Sequence, residues 1–171
     1  PERMTRRMRT IEHWIGGVAT AGAGTRRGPV WNPATGAQQA EVVLAEPADV
    51  DAAVTAAAAA YEGWSQTSLS RRTKVLFAFR ELVNARIDEL AGIVSDEHGK
   101  VLSDARGEVQ RGLEVVEFAC GLPTLLKGDY SDQVSTGVDL YSIREPLGVC
   151  AGITPFNFPI MVPMWMHPVA I

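Results

Sequence analysis

With 171 residues, 46% of them apolar and 21% charged, the chain has the balance of one soluble globular domain with a sizeable core, not of a disordered segment. A net charge of −4 excludes the broad basic face of a general nucleic-acid binder. Two cysteines, Cys120 and Cys150, make no disulfide framework, and His13, His98 and His167 show no metal-ligand spacing, so a reducing, cytoplasmic setting without a structural metal is expected.

The opening "PERMTRRMRT" gathers Arg3, Arg6, Arg7 and Arg9 and begins on Pro1 rather than Met. Glu2 and Glu12 interrupt the brief basic run, so a frayed, solvated terminus is expected ahead of the alternative of a short Arg-rich targeting arm, with Met4 or Met8 as candidate start residues. From His13 to Ala45, Gly16-Gly17, Gly22 and the "NPATG" turn at Asn32 to Gly36 punctuate short apolar runs, ending in the strand text "QQAEVVLA". This predicts a small antiparallel β arm at the surface.

Three helices are expected next. In "EPADVDAAVTAAAAAYEGW", Pro47 suits the first helical position, and Asp49 and Asp51 suit the positive N-terminal end. The alanine run lets that helix pack closely against others. The stretch from Ser68 to Lys100 reads as one long helix with the stripe Val75, Leu76, Phe79, Leu82, Val83, Ile87, Leu90, Ala91, Val94, capped by Ser68 or Ser70 and ended by Gly99. The third runs from Val101 to about Gly128, with Leu102, Ala105, Val109, Leu113, Val116 and Cys120 on one face and Pro123 bending or ending it. Its interior Gly107 and Gly112 cost helix stability, and such a glycine often admits a neighbouring element.

"DYSDQVSTGVDLYSIREPLG" returns to strands, with Val138, Leu140 and Ser142 alternating against Asp139, Tyr141 and Ile143. From Pro146 to Ile171 there is no Asp, Glu, Lys or Arg. Four prolines from Pro155 to Pro168 argue against a membrane span, and a buried strand leading into a helix fits better. The order of β arm, helical block and parallel-type strand indicates an α/β class.

The final stretch "REPLGVCAGITPFNFP" resembles the aldehyde dehydrogenase superfamily, in which a Glu-Pro-Leu/Val-Gly-Val strand leads into a Pro-Trp/Phe-Asn-Phe-Pro turn. The resemblance runs from about Trp14 to the end. "RGLEVVEFAC" and "GITPFNFPIMVPMWM" are most similar to its CoA-acylating branch for methylmalonate semialdehyde. It implies the N-terminal part of the family's fold: a β arm, three helices, oligomerisation strands at about 129–145 and the first strand of a Rossmann-like NAD-binding sheet. Residues 1–171 would then form an incomplete N-terminal NAD-binding region without the catalytic domain, inactive alone and prone to aggregate. The family's nucleophilic cysteine, general-base glutamate and ribose-holding lysine would lie beyond residue 171.

The resemblance also implies NAD as cofactor, CoA as co-substrate, a small aldehyde carrying a carboxylate as substrate and a homo-oligomer, dimer or tetramer, with no metal, nucleic acid or membrane partner. Asn157 matches the asparagine whose side-chain N–H donates to the oxyanion formed when a cysteine thiolate attacks the aldehyde. Without the flanking motif, a cap of a strand-to-helix turn would be the favoured reading. Ile153, Thr154, Pro155 and Phe156 match the strand end and turn along bound NAD.

Arg111 lies about 200° around its helix from Val109, off the apolar stripe, where most arginines are simply solvated. The resemblance places its helix beside the substrate tunnel, where a guanidinium can bind a carboxylate through two parallel hydrogen bonds. Phe158 would line the same tunnel or fill the core. Cys120, on the apolar stripe, and Cys150, in the expected buried strand, have no neighbouring base or cation in sequence and are rejected as nucleophiles. Two other readings stay open: a hydrolytic aldehyde dehydrogenase releasing a carboxylic acid, and a non-catalytic fragment that only joins full-length subunits.

Overall fold

A computed structural model describes residues 8–171, so Arg3, Arg6, Arg7 and Met4 of the basic opening lie outside the described residues. Arg9 lies inside them and donates to Glu97 at 3.1 Å. Five short strands open the fold: Arg9–Ile11 (β1), His13–Ile15 (β2), Val18–Thr20 (β3), Arg27–Trp31 (β4) and Gln38–Val43 (β5). β2 and β3 pair antiparallel across Gly16 and Gly17, whose φ angles of +61° and +82° are those a two-residue hairpin turn requires. β4 and β5 pair antiparallel across the predicted "NPATG" turn, where the Asn32 side chain accepts the N–H groups of Ala34 and Thr35 at 3.0 and 3.2 Å. The expected β arm therefore forms, but it is not wholly antiparallel. β1 adds to the other edge of β5 in parallel, pairing Thr10 with Glu41.

The first helix, Pro47–Ser65 (α1), begins where proline and acid predicted. Asp49 anchors its start by accepting the N–H groups of Glu46 at 2.9 Å and Ala23 at 2.7 Å. Its alanine run does not pack closely as expected. Apart from the half-buried Ala56, those alanines are exposed, because among the described residues the helix rests mainly on β2 through its first turns.

The long second helix is in fact two: Leu69–Ala85 (α2) and Ile87–His98 (α3). At Arg86 the backbone leaves the helical region, φ −118° and ψ 20°. The apolar stripe continues across this break, at helical spacing from Val83 to Ala91 and Val94. On either side of the break, Val83 of α2 and Ala91 and Val94 of α3 join one core cluster with α4. Val75, Phe79 and Leu82 of the predicted stripe are exposed, since that flank of α2 meets no other described element. Gly99 ends α3 in the left-handed conformation, φ +85°, as its position predicted.

The third predicted helix stops at Cys120, giving Leu102–Cys120 (α4), and a single turn, Leu122–Leu125 (α5), follows with Pro123 in its first turn. α4 is the centre of the core. Ala105, Val109, Leu113 and Val116 are buried, and Leu102 is exposed. α2, α3 and the last helix, Met161–Ala170 (α6), all pack on it. Gly112 is where α6 crosses: a Cβ there would collide with the Met164 side chain and press on the Met161 backbone. Gly107, one turn earlier, faces open space.

Tyr130–Ser135 (β6) and Val138–Tyr141 (β7) form the predicted strand pair. Both faces of this ribbon are exposed, so its alternation buries nothing within the described residues. The apolar run after it departs further from expectation. No strand forms between Tyr141 and Met161, and Leu147 and Ile153 are 95% and 97% exposed. Cys150 is likewise exposed, not buried in a strand. A strand exists only with a neighbour to receive its N–H and C=O groups, and no described strand runs beside this segment. The α/β class stands, with helices and small sheets around a helical core. Among the described residues, no helix is long and apolar enough to cross a membrane.

Candidate active site

The segment "TPFNFPI" enters α6 through a turn bracketed by Pro155 and Pro159. Proline has no N–H, so Ile160 and Met161 carry the first backbone donors after that turn. Both point at one oxygen. Glu108 Oε1, from α4, accepts them at 2.9 and 3.2 Å. Its other oxygen accepts Lys100 Nζ at 2.6 Å. The same ammonium donates to the Asn157 carbonyl at 2.6 Å and stands 4.2 Å from the centre of the Phe158 ring. Lys100 reaches this position because Gly99 turns the chain sharply out of α3.

Glu108 is only 3% exposed. Burial alone would push its carboxyl up. The Lys100 hydrogen bond, the two backbone N–H bonds and the Lys100 charge together outweigh burial and hold it below the usual carboxylate range. The carboxylate is thus ionised, fully partnered and fixed.

These groups border an open cavity of about 400 Å³, which brings together Arg111, Asn157 and Phe158, three of the residues singled out from the sequence. Asn157 and Arg111 are exposed and Phe158 is half-buried. Arg80 pairs with Glu81 and Glu117, and Arg106 with Asp88. Arg111 has no ion pair among the described residues, which leaves a cation facing the cavity. Asp104 borders the cavity too, so the field inside is not of one sign.

Ile153, Thr154, Pro155 and Phe156 are not part of this cavity. Phe156 turns to the opposite side of the turn, its ring 5.5 Å from that of His98, above a hollow formed by Leu90, Ile93 and Val94. The three residues before it are exposed, uncharged and outside any helix or strand. Among the described residues, none of the N–H groups of Ile153, Thr154 and Phe156 is engaged in a hydrogen bond.

Neither cysteine enters the cavity. Cys120 lies half-buried on α4, its thiol pushed up by burial. Cys150 borders a separate hollow beside Trp14 and α1. Sequence reasoning missed Lys100 and Glu108. The available signal was an acidic residue on the buried face of a helix: Ala105, Glu108 and Gly112 recur at helical spacing, and a carboxylate in that row needs a partner.

The model of the aldehyde dehydrogenase family matches residues 20–171. Malonate-semialdehyde dehydrogenase 2 of Geobacillus thermodenitrificans is 47% identical over 95% of this chain and 34% of its own length. The mitochondrial acylating methylmalonate-semialdehyde dehydrogenase of Arabidopsis thaliana is 47% identical over 94% of the chain and 26% of its own length. The crystal structure of methylmalonate-semialdehyde dehydrogenase from Oceanimonas doudoroffii superposes with a TM-score of 0.92 at 47% identity, over 95% of this chain and 33% of that one. A candidate methylmalonate-semialdehyde dehydrogenase from Sinorhizobium meliloti, solved with NAD, superposes at 0.91 and 47% identity over 94% and 33%. The chain thus spans about a third of the length of the curated relatives it matches. With both its sequence and its fold matched over nearly all its length, the chain belongs to the aldehyde dehydrogenase family.

Proposed function

We propose that this chain is the N-terminal third of an NAD-dependent dehydrogenase that oxidises malonate or methylmalonate semialdehyde with loss of CO2 and passes the resulting acetyl or propionyl group to CoA. The observation that carries the reading is the shared cavity of Asn157, Phe158 and the unpaired Arg111. The names of the 47%-identical relatives, one of them acylating, support the substrate class.

In this reading Asn157 presents its side-chain N–H to the aldehyde oxygen as a cysteine thiolate from another part of the protein adds to the carbonyl carbon. The donor faces charge that appears only after attack, so it acts on the transition state. Arg111 grips the substrate carboxylate through its guanidinium. Phe158 walls the passage. NAD would be held along Ile153, Thr154, Pro155 and Phe156 and would supply the hydride acceptor needed for the aldehyde to reach the thioester level.

The segment from Ile153 to Phe156 fits a flat, anionic cofactor: it is exposed and uncharged, and its backbone donors are open. The exposed β6–β7 ribbon would meet a second subunit, giving a homo-oligomer. The isolated chain, without a nucleophile, would be inactive.

The test is an assay of the full-length enzyme carrying this chain, with and without CoA. An acyl-CoA product and a rate that depends on CoA are expected. A free acid at the same rate in both would overturn the acylating part. Arg111→Leu should raise KM for the semialdehydes by about 10-fold or more, the scale of a charged hydrogen bond, and leave propanal nearly unaffected. Equal losses for both aldehydes would mean that Arg111 serves packing alone.

A further inference from the structure

We infer that Glu108 and Lys100 are positioning residues that hold the Asn157 turn in its working geometry, an inference that rests on the oxyanion role proposed for Asn157. Three elements meet at this pair. Glu108 comes from the middle of α4, Lys100 from the turn after α3, and the turn itself leads into α6. Glu108 ties the first free N–H groups of α6 to α4 through one oxygen and holds Lys100 through the other. Lys100 then holds the backbone carbonyl of Asn157 and covers the face of Phe158.

The result is that the residue carrying the amide is tethered by its own carbonyl, while the helix that follows is tethered three residues later. The side chain of Asn157 stays exposed and unencumbered. Lys100 and Glu108 touch the backbone of the turn and not the reacting atoms.

Two features set this arrangement apart from a plain structural ion pair. Glu108 is buried on a helix face otherwise filled by Ala105, Val109 and Gly112, where an apolar residue would pack without any desolvation cost. And the acceptor that Lys100 reaches is the carbonyl of the one polar side-chain residue in the turn from Pro155 to Pro159. A displacement of about 1 Å in a group that must meet developing charge can cost about 10²-fold in rate.

The experiment uses the full-length enzyme that carries this chain, with Lys100→Met, Lys100→Arg, Glu108→Gln and Glu108→Leu. Lys100→Met keeps the stem over Phe158 and removes the donor to Asn157. The single-turnover NADH burst, measured per NAD-binding site so that only folded enzyme counts, should fall by about 10- to 10²-fold. KM for the aldehyde and NAD affinity should change little. Lys100→Arg, which keeps donors for both oxygens, should recover much of the rate. Glu108→Gln should resemble Lys100→Met.

Hydrogen–deuterium exchange supplies a readout independent of activity: the N–H groups of Ile160 and Met161 should lose protection in Glu108→Leu, which removes the acceptor oxygen that Glu108→Gln keeps, while α2 and the rest of α4 keep theirs. Unchanged protection there, or a normal burst in Lys100→Met, would overturn the inference. If wild-type enzyme yields no NADH from any semialdehyde, the proposed function has failed, and the exchange measurement still decides whether the clamp exists.

Discussion

An amide that must meet a developing oxyanion has to be aimed before the charge appears, and Asn157 carries the structural marks of that duty. It projects into the cavity from a turn stiffened by two prolines and tied down by Lys100. In the full-length enzyme, Asn157→Ala should slow the acylation burst by about 10²–10³-fold, the scale of one lost oxyanion donor, with NAD affinity nearly intact. Were Asn157 only a cap for the turn, the variant would instead lose about 1 kcal/mol of stability, melt at a lower temperature and turn over normally once folded. A burst measurement beside a thermal melt separates the two. The sequence made Asn157, Phe158 and Arg111 legible because an unusual motif surrounds the first two and the helical wheel exposes the third. Lys100 and Glu108 were not legible. Their role depends on α4 passing under the start of α6, a contact between residues far apart in the chain.

Helix α4 joins the site to the core, and its two interior glycines separate the two tasks. Gly112 lies against Met161 and Met164, so a side chain there must push α6 away. Gly112→Leu should destabilise the fold by about 1–3 kcal/mol through overpacking. Gly107 has nothing within 4 Å of where a Cβ would stand, and Gly107→Ala should stabilise by about 0.5–1 kcal/mol through helix propensity. Thermal melts of the two variants should therefore shift in opposite directions; a shared direction would contradict the packing described here. Of the elements, the start of α1, the Gly99 cap and the β4–β5 turn could be read from local chemistry. The α2–α3 break could not be read from the apolar stripe, which continues across it. Asp88 and Glu89 in the first turn of α3 were the local hint of a new N-terminus. The strand expected after Pro146 failed for a different reason: its partners are not supplied by any described element.

At the scale of the whole molecule, two ionised acids hold distant parts together, and their titration sets how the fold responds to acid. Asp49 is kept below the usual carboxylate range chiefly by the Glu46 N–H, then by that of Ala23, and so ties α1 to the β arm. Glu108, lowered against its burial by Lys100 and the α6 N–H groups, ties α4 to α6. A carboxyl whose folded pKa is depressed binds its proton more tightly in the unfolded chain. Its stabilisation is complete above the unfolded values, about 3.9 for Asp and 4.3 for Glu, and is lost as pH falls through the folded ones. Urea unfolding between neutral and acid pH should therefore show stability falling on the acid side. Glu108→Gln should lower stability at neutral pH and flatten that fall, since its titration is gone; an acid slope equal to that of wild type would show that Glu108 does not contribute.

The surface makes a separate demand. Leu147 and Ile153 are almost fully exposed, and Leu140, Tyr141 and Ile143 add apolar area on and beside the ribbon. Soluble monomers rarely leave contiguous patches of this kind uncovered. The 171-residue chain on its own should self-associate at micromolar concentration, and Leu147→Lys with Ile153→Lys should reduce that association by placing like charges on the patch. Sedimentation of the two proteins side by side decides the matter. A wild-type chain that stays monomeric would show that these side chains are tolerable in water, and association undiminished in the double variant would move the sticky surface to the β6–β7 ribbon.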